Sequence, residues 1–74
     1  MIEELDRVAL TRAFPEHGLV PGDIGAVVGV HAEGKGFTVE FMSLAGKTVA
    51  VVTLDASAVR PLRAKEIAHV REMA

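Results

Sequence analysis

The sequence predicts an all-β fold, a small five-stranded antiparallel barrel followed by a short C-terminal helix. Three observations carry that expectation. Four short stretches read as strands whose side chains switch sides at each step, turn formers such as Gly, Pro and Asp separate them, and a final segment free of Gly and Pro spaces its apolar residues as a helix does.

The first strand is expected over residues 5–11, where Val8 and Leu10 share one face and Arg7 and Thr11 the other. A long loop follows, with Pro15, Gly18, Pro21, Gly22 and Asp23 in residues 12–23. Pro21-Gly22 suits the two central positions of a type II turn, because Pro fixes φ and Gly supplies a positive one. Phe14 and Leu19 are expected to fold back onto the end of the barrel. In the second strand, residues 24–31, Ile24, Ala26, Val28 and Val30 share a face and Gly25 and Gly29 lie opposite, where glycines permit sharp coiling.

Residues 33–36 then form a turn, after which Phe37, Val39 and Phe41 point inward and Thr38, Glu40 and Met42 outward. Residues 44–47 are the next turn, with Gly46 at its left-handed position. Residues 48–54 are apolar on both sides, Val49 and Val51 on one and Ala50, Val52 and Leu54 on the other. A strand of that kind calls for cover on both faces, from the C-terminal segment or from a second subunit. Asp55 caps a short helical turn through Ala58, and residues 59–62 give a brief fifth strand cut short by Pro61. The domain is thus assigned to residues 1–62. Residues 63–74 are read as an amphipathic helix, with Ile67 and Val70 on one face beside Ala64 and Ala74, packed on the barrel or on a partner subunit.

Size and composition limit what such a chain does. With 74 residues and no cysteine, it makes a single core without disulfides or thiolate metal sites. A core of this size supplies about 3–5 kcal/mol, so association with another chain is an expected source of further stability. Glu3, Glu4 and Asp6 stand where a secretory signal would be basic and then apolar, and no apolar run approaches membrane-spanning length, so a cytoplasmic protein is expected.

The arrangement as a whole looks like an SH3-like barrel. More narrowly, the stretch from Asp6 to Leu10, Glu16-His17-Gly18-Leu19, Gly22-Asp23-Ile24-Gly25-Ala26-Val27-Val28, Val39-Glu40-Phe41 and Thr53-Leu54 resemble a widespread bacterial family of proteins of roughly 60–90 residues and unknown function. The shared residues are mostly turn glycines and core positions, so the resemblance implies a fold and no activity. Gly22-Asp23-Ile24-Gly25 followed by Val27 and Val28 is also similar to the KOW element of ribosomal and transcription proteins, whose barrels are commonly basic; this one is acidic.

The candidate chemistry is thin. His17, His31 and His69 have no spacing that forces a shared metal site, and a lone Glu66-x-x-His69 is half of a di-metal motif that needs a second copy. Ser43 and Ser57 lack a nucleophile elbow, and Gly34-Lys35-Gly36 lacks the spacing of a phosphate loop. No enzymatic activity, cofactor, metal or small-molecule ligand is therefore expected. With no Trp or Tyr and three Phe, of which two point inward, an aromatic peptide groove or base-stacking platform is disfavoured.

The leading expectation is a protein-interaction module that self-associates or binds a partner protein through Ala50, Val52 and Leu54 together with Ile67 and Val70. The alternative is nucleic-acid binding through Arg60, Arg63, Lys65 and Arg71, which concentrate half of the chain's eight basic residues near its end. A third is an antitoxin- or immunity-like partner of an adjacent gene product, in which net charge −2 would answer a basic toxin.

Overall fold

The computed structural model describes residues 1–73. Its regular elements are β1 (Arg7–Leu10), β2 (Ile24–His31), β3 (Gly36–Met42), β4 (Thr48–Asp55) and β5 (Val59–Pro61), with single 3₁₀ turns at Pro15–His17, Ala32–Gly34 and Ala56–Ala58. All strand pairs are antiparallel and the sheet order is β4-β3-β2-β1-β5.

Two features of the expected fold are corrected. The sheet does not close, because β4 and β5 are its two free edges and do not pair. Closure would require β5 to meet an eight-residue β4, yet β5 has three residues and ends at Pro61, which has no N–H to donate. The C-terminal helix is also absent among the described residues. One turn forms, where Glu66 N–H donates to Arg63 O at 3.1 Å, and it does not propagate. A segment of this length is marginal as an isolated helix, and two of its side chains are drawn off the helical path, Glu66 to Arg60 and Arg71 to Asp23. Ala74, assigned to the same stripe, lies outside the described residues.

The sheet bends around one core built from every strand: Val8 and Leu10 of β1, Val27 of β2, Phe37, Val39 and Phe41 of β3, Leu54 of β4 and Val59 of β5, joined by Leu19 and Ala58. The inward set expected for β3 is found, each residue fully or almost fully buried. The core face of β2 is that of Gly25 and Val27, leaving Ile24 partly exposed on the other side. Alternation breaks at Val28, an extra residue between the pairs Val27–Val39 and Gly29–Thr38, so the four aliphatics of β2 do not share one face. Gly25 is where the bend costs side-chain space. A Cβ there would lie 2.5 Å from Val39 Cγ1, 2.9 Å from Phe41 Cε1 and 3.0 Å from Glu40 O, so the side chains of β3 pack directly over its backbone.

The connections follow local turn chemistry. Val20-Pro21-Gly22-Asp23 is a turn with Gly22 at φ 92°, closed by Asp23 N–H donating to Val20 O. Val20 N–H in turn donates to the Asp23 carboxylate at 2.9 Å. Phe14 and Leu19 exchange backbone hydrogen bonds and set Leu19 into the core. Asp55 caps the last 3₁₀ turn, its carboxylate accepting from Ser57 N–H at 3.0 Å and from the Ser57 hydroxyl. These bonds hold the Asp55 carboxyl below its usual range.

Candidate interaction surfaces

Two surfaces stand out, the free edge of β4 and a groove crossed by the C-terminal segment. On β4, pairing with β3 runs from Gly36–Asp55 through Phe37–Leu54, Thr38–Thr53, Val39–Val52 and Glu40–Val51 to Phe41–Ala50. One residue further along, Ala56 N–H donates to Lys35 O at 3.0 Å. Antiparallel alternation then turns the backbone groups of Leu54, Val52 and Ala50 toward β3 and those of Thr53 and Val51 toward the open edge. Side chains alternate in the same rhythm. Leu54 is 4% exposed and belongs to the core, and Ala50 and Val52 pack against it, so this trio faces inward. Val51, on the opposite face, is 56% exposed. The surface offered by β4 is thus the Val51 side, together with a run of backbone donors and acceptors that no strand covers.

The second surface lies where residues 62–73 pass over the loop that precedes β2. Arg71 reaches Asp23, its Nε donating to Oδ1 at 2.8 Å and its Nη2 to Oδ2 at 2.5 Å, while Nη2 also donates to Gly18 O at 2.9 Å. Met73 comes to rest over Gly18, its Cε 3.3 Å from where a Cβ would stand. At the near end, Arg60 makes a two-pronged pair with Glu66, at 2.9 and 2.5 Å, and Arg63 N–H donates to the same carboxylate at 2.6 Å. The Arg60 bonds, aided by the Arg63 N–H, lower the Glu66 pKa to about 2, and the Arg71 guanidinium holds Asp23 below the ordinary carboxylate range.

This segment is a strap, held by ions at both ends. It buries little of its own apolar surface: Ile67 is 93% exposed and Val70 remains largely so. On one side of it runs an open groove of about 520 Å³ between the strap's Val70 and Met73 and a wall of Ile24, Met42, Leu44 and Val49, and on the other a smaller one of about 410 Å³ beside Val20, Arg60 and Leu62.

The residues singled out from sequence are therefore distributed as follows. Ala50, Val52 and Leu54 line the inner side of β4, and Ile67 and Val70 sit on the strap, so the structure does not bring the two groups to one face. Of the four cations, Arg60 and Arg71 are ion-paired, while Arg63 and Lys65 have no acidic partner within salt-bridge distance among the described residues. From sequence, Asp23 is a turn residue at the entry to the second strand. Its partner lies 48 positions away, a separation for which sequence offers no local signal. Among the described residues no group of three or more His, Asp or Glu side chains is placed to hold a metal ion. Glu66 and His69 are no longer one helical turn apart, and His31 Nε2 lies 2.7 Å from Thr38 Oγ1. No helix among the described residues is long and apolar enough to cross a membrane.

Fold and surfaces together define a small all-β module with an open sheet edge and an ion-latched terminal strap. The chain belongs to the family of the domain of unknown function DUF4926, whose model matches residues 4–61. No curated protein and no solved structure shows significant similarity to it. The expectation of a family of unknown function thus holds, whereas the likeness to SH3-like barrels has no solved relative behind it. The match ends at Pro61, the last residue of β5, so the strap lies beyond the matched domain.

Proposed function

We infer that the protein is a non-catalytic interaction module that associates with a second copy of itself by adding β4 to β4 across the open edge. The single observation carrying this reading is the edge itself. Eight residues long, β4 has no Pro and no charged side chain between Thr48 and Leu54, and it turns the backbone groups of Val51 and Thr53 outward. The opposite edge, β5, is short, ends in Pro61 and carries Arg60, the usual features of a blocked edge. Antiparallel pairing of two β4 strands suits the flanking charges, since it brings the Lys47 end of one copy toward the Asp55 end of the other. Such a dimer would add to the modest stability of a 74-residue chain without disulfides.

Nucleic-acid binding is less well supported. Pairing of Arg60 with Glu66 and of Arg71 with Asp23 leaves two of the four proposed cations for phosphate.

Light scattering over a dilution series tests the reading. The wild type is expected to pass from dimer to monomer, and Thr53→Pro, which removes an outward N–H and, of its bonds to β3, only the hydroxyl contact with Thr38 Oγ1 at 3.0 Å, is expected to raise the dissociation constant at least tenfold while the monomer stays folded. Val51→Lys should do the same. A wild type that remains monomeric at every concentration, or variants that dimerise as well as it does, would contradict the reading.

A further inference from the structure

We propose that the groove around Asp23 is a recognition site for an extended peptide segment carrying an arginine next to aliphatic residues, and that the chain's own strap occupies it in cis as a displaceable mimic. This goes beyond self-association at β4 and concerns a different surface.

The argument begins with what the strap leaves undone. A terminal segment that had evolved as part of the core would bury its aliphatics, yet Ile67 and Val70 face largely outward, and Val70 and Met73 only edge an open groove of about 520 Å³ that Ile24, Met42 and Val49 line from the sheet side. What binds the strap is polar and specific. The Arg71 guanidinium meets Asp23 through two parallel hydrogen bonds and takes a third partner in Gly18 O, the geometry in which arginine is recognised rather than merely attracted. The receptor half of that contact is prepared by the fold: Asp23 is fixed by the Val20 N–H and by its place at the entry to β2, inside the matched domain. The ligand half lies outside the matched domain, in a segment that contributes no strand and no residue to the core.

A preformed acidic anchor beside an aliphatic groove, with an Arg-bearing segment laid over it, fixes the chemistry of the external ligand. Its arginine replaces Arg71 at Asp23, and a larger aliphatic residue near it fills the wall of Ile24, Met42, Leu44 and Val49 that the strap leaves open. Tethering gives the strap an effective concentration of the order of millimolar, so it suppresses weak ligands and yields to those that bury the groove.

The test uses full-length protein and a synthetic peptide of residues 62–74. Arg71→Ala protein, its own strap unlatched, is expected to bind the peptide saturably, with shifts at the methyl groups of Ile24, Met42 and Val49. Wild-type protein should bind it at least tenfold more weakly because its strap competes. Asp23→Asn introduced into the Arg71→Ala protein, or Arg71→Ala in the peptide, should abolish binding. Retained folding of each variant is read from the Phe37 and Phe41 ring signals. Binding that ignores both changes, or the absence of binding to Arg71→Ala protein, would overturn the proposal. A wild-type dimer that dissociates on Arg71→Ala would assign the strap to exchange between copies and overturn its placement in cis.

Discussion

The bent sheet and the strap hold their places by opposite physics. Residues of β1 to β5 are fixed by apolar burial, with Val8, Val27 and Val39 wholly removed from solvent, and no buried side-chain polar atom among the described residues lacks a partner. Residues 62–73 are fixed by two partly exposed ion pairs and a methionine contact, with most of their side chains in water. Burial scales with area and does not titrate, whereas partly exposed ion pairs are weak, screened by salt and lost when their carboxylates are protonated. The comparison therefore teaches that one chain holds a folded unit and a conditional one, and that each should respond to different perturbations.

The largest effect is expected in the core. Phe41→Ala should cost about 3–5 kcal/mol, as large as the stability a core of this size supplies, and circular dichroism should show the monomer substantially unfolded. Gly25→Val comes next. Its branches would meet Val39 and Phe41, and overpacking of about 1–3 kcal/mol should lower the urea midpoint while leaving the strands in place.

Acid should separate the two regions. Glu66 has a folded pKa of about 2 and Asp23 one below the ordinary range, so both depressed carboxylates contribute to docking above their unfolded values near 4 and lose that contribution as pH falls through the folded ones. Amide exchange in residues 63–72 should therefore accelerate as pH is lowered from 5 toward 2, beyond the intrinsic pH dependence, while the strap is unaffected by raising pH from 6 to 9. The smallest stability effect is that of Arg71→Ala, which should release the strap in the same assay and leave the urea midpoint of the sheet within about 0.5 kcal/mol of the wild type.

The same contrast explains what sequence made legible. Phe37, Val39 and Phe41 alternate without interruption in a strand paired on both sides, and their burial follows directly. The turn at Pro21-Gly22 and the Asp55 cap were readable because each is determined by neighbouring residues. The face of β2 was not, since a bulge at Val28 shifts the period and nothing in Ile-Gly-Ala-Val-Val-Gly-Val announces an extra residue. The two-sided apolar character of β4 was visible, but which side is core depends on register with β3, and Leu54 rather than Val51 proved to be inside. The terminal segment misled because Ile67 and Val70 have helical spacing. Its conformation follows instead from Glu66 meeting Arg60 six residues back and from Arg71 meeting Asp23, contacts with no helical period.

The claim on which the rest depends is that the folded unit ends with β5. Urea denaturation of a chain truncated after Leu62, followed by circular dichroism at a concentration where the wild type is monomeric, tests it most directly. The account predicts a cooperative transition with a midpoint close to that of the intact chain. A truncated chain that is unfolded in buffer, or that melts without cooperativity, would contradict it.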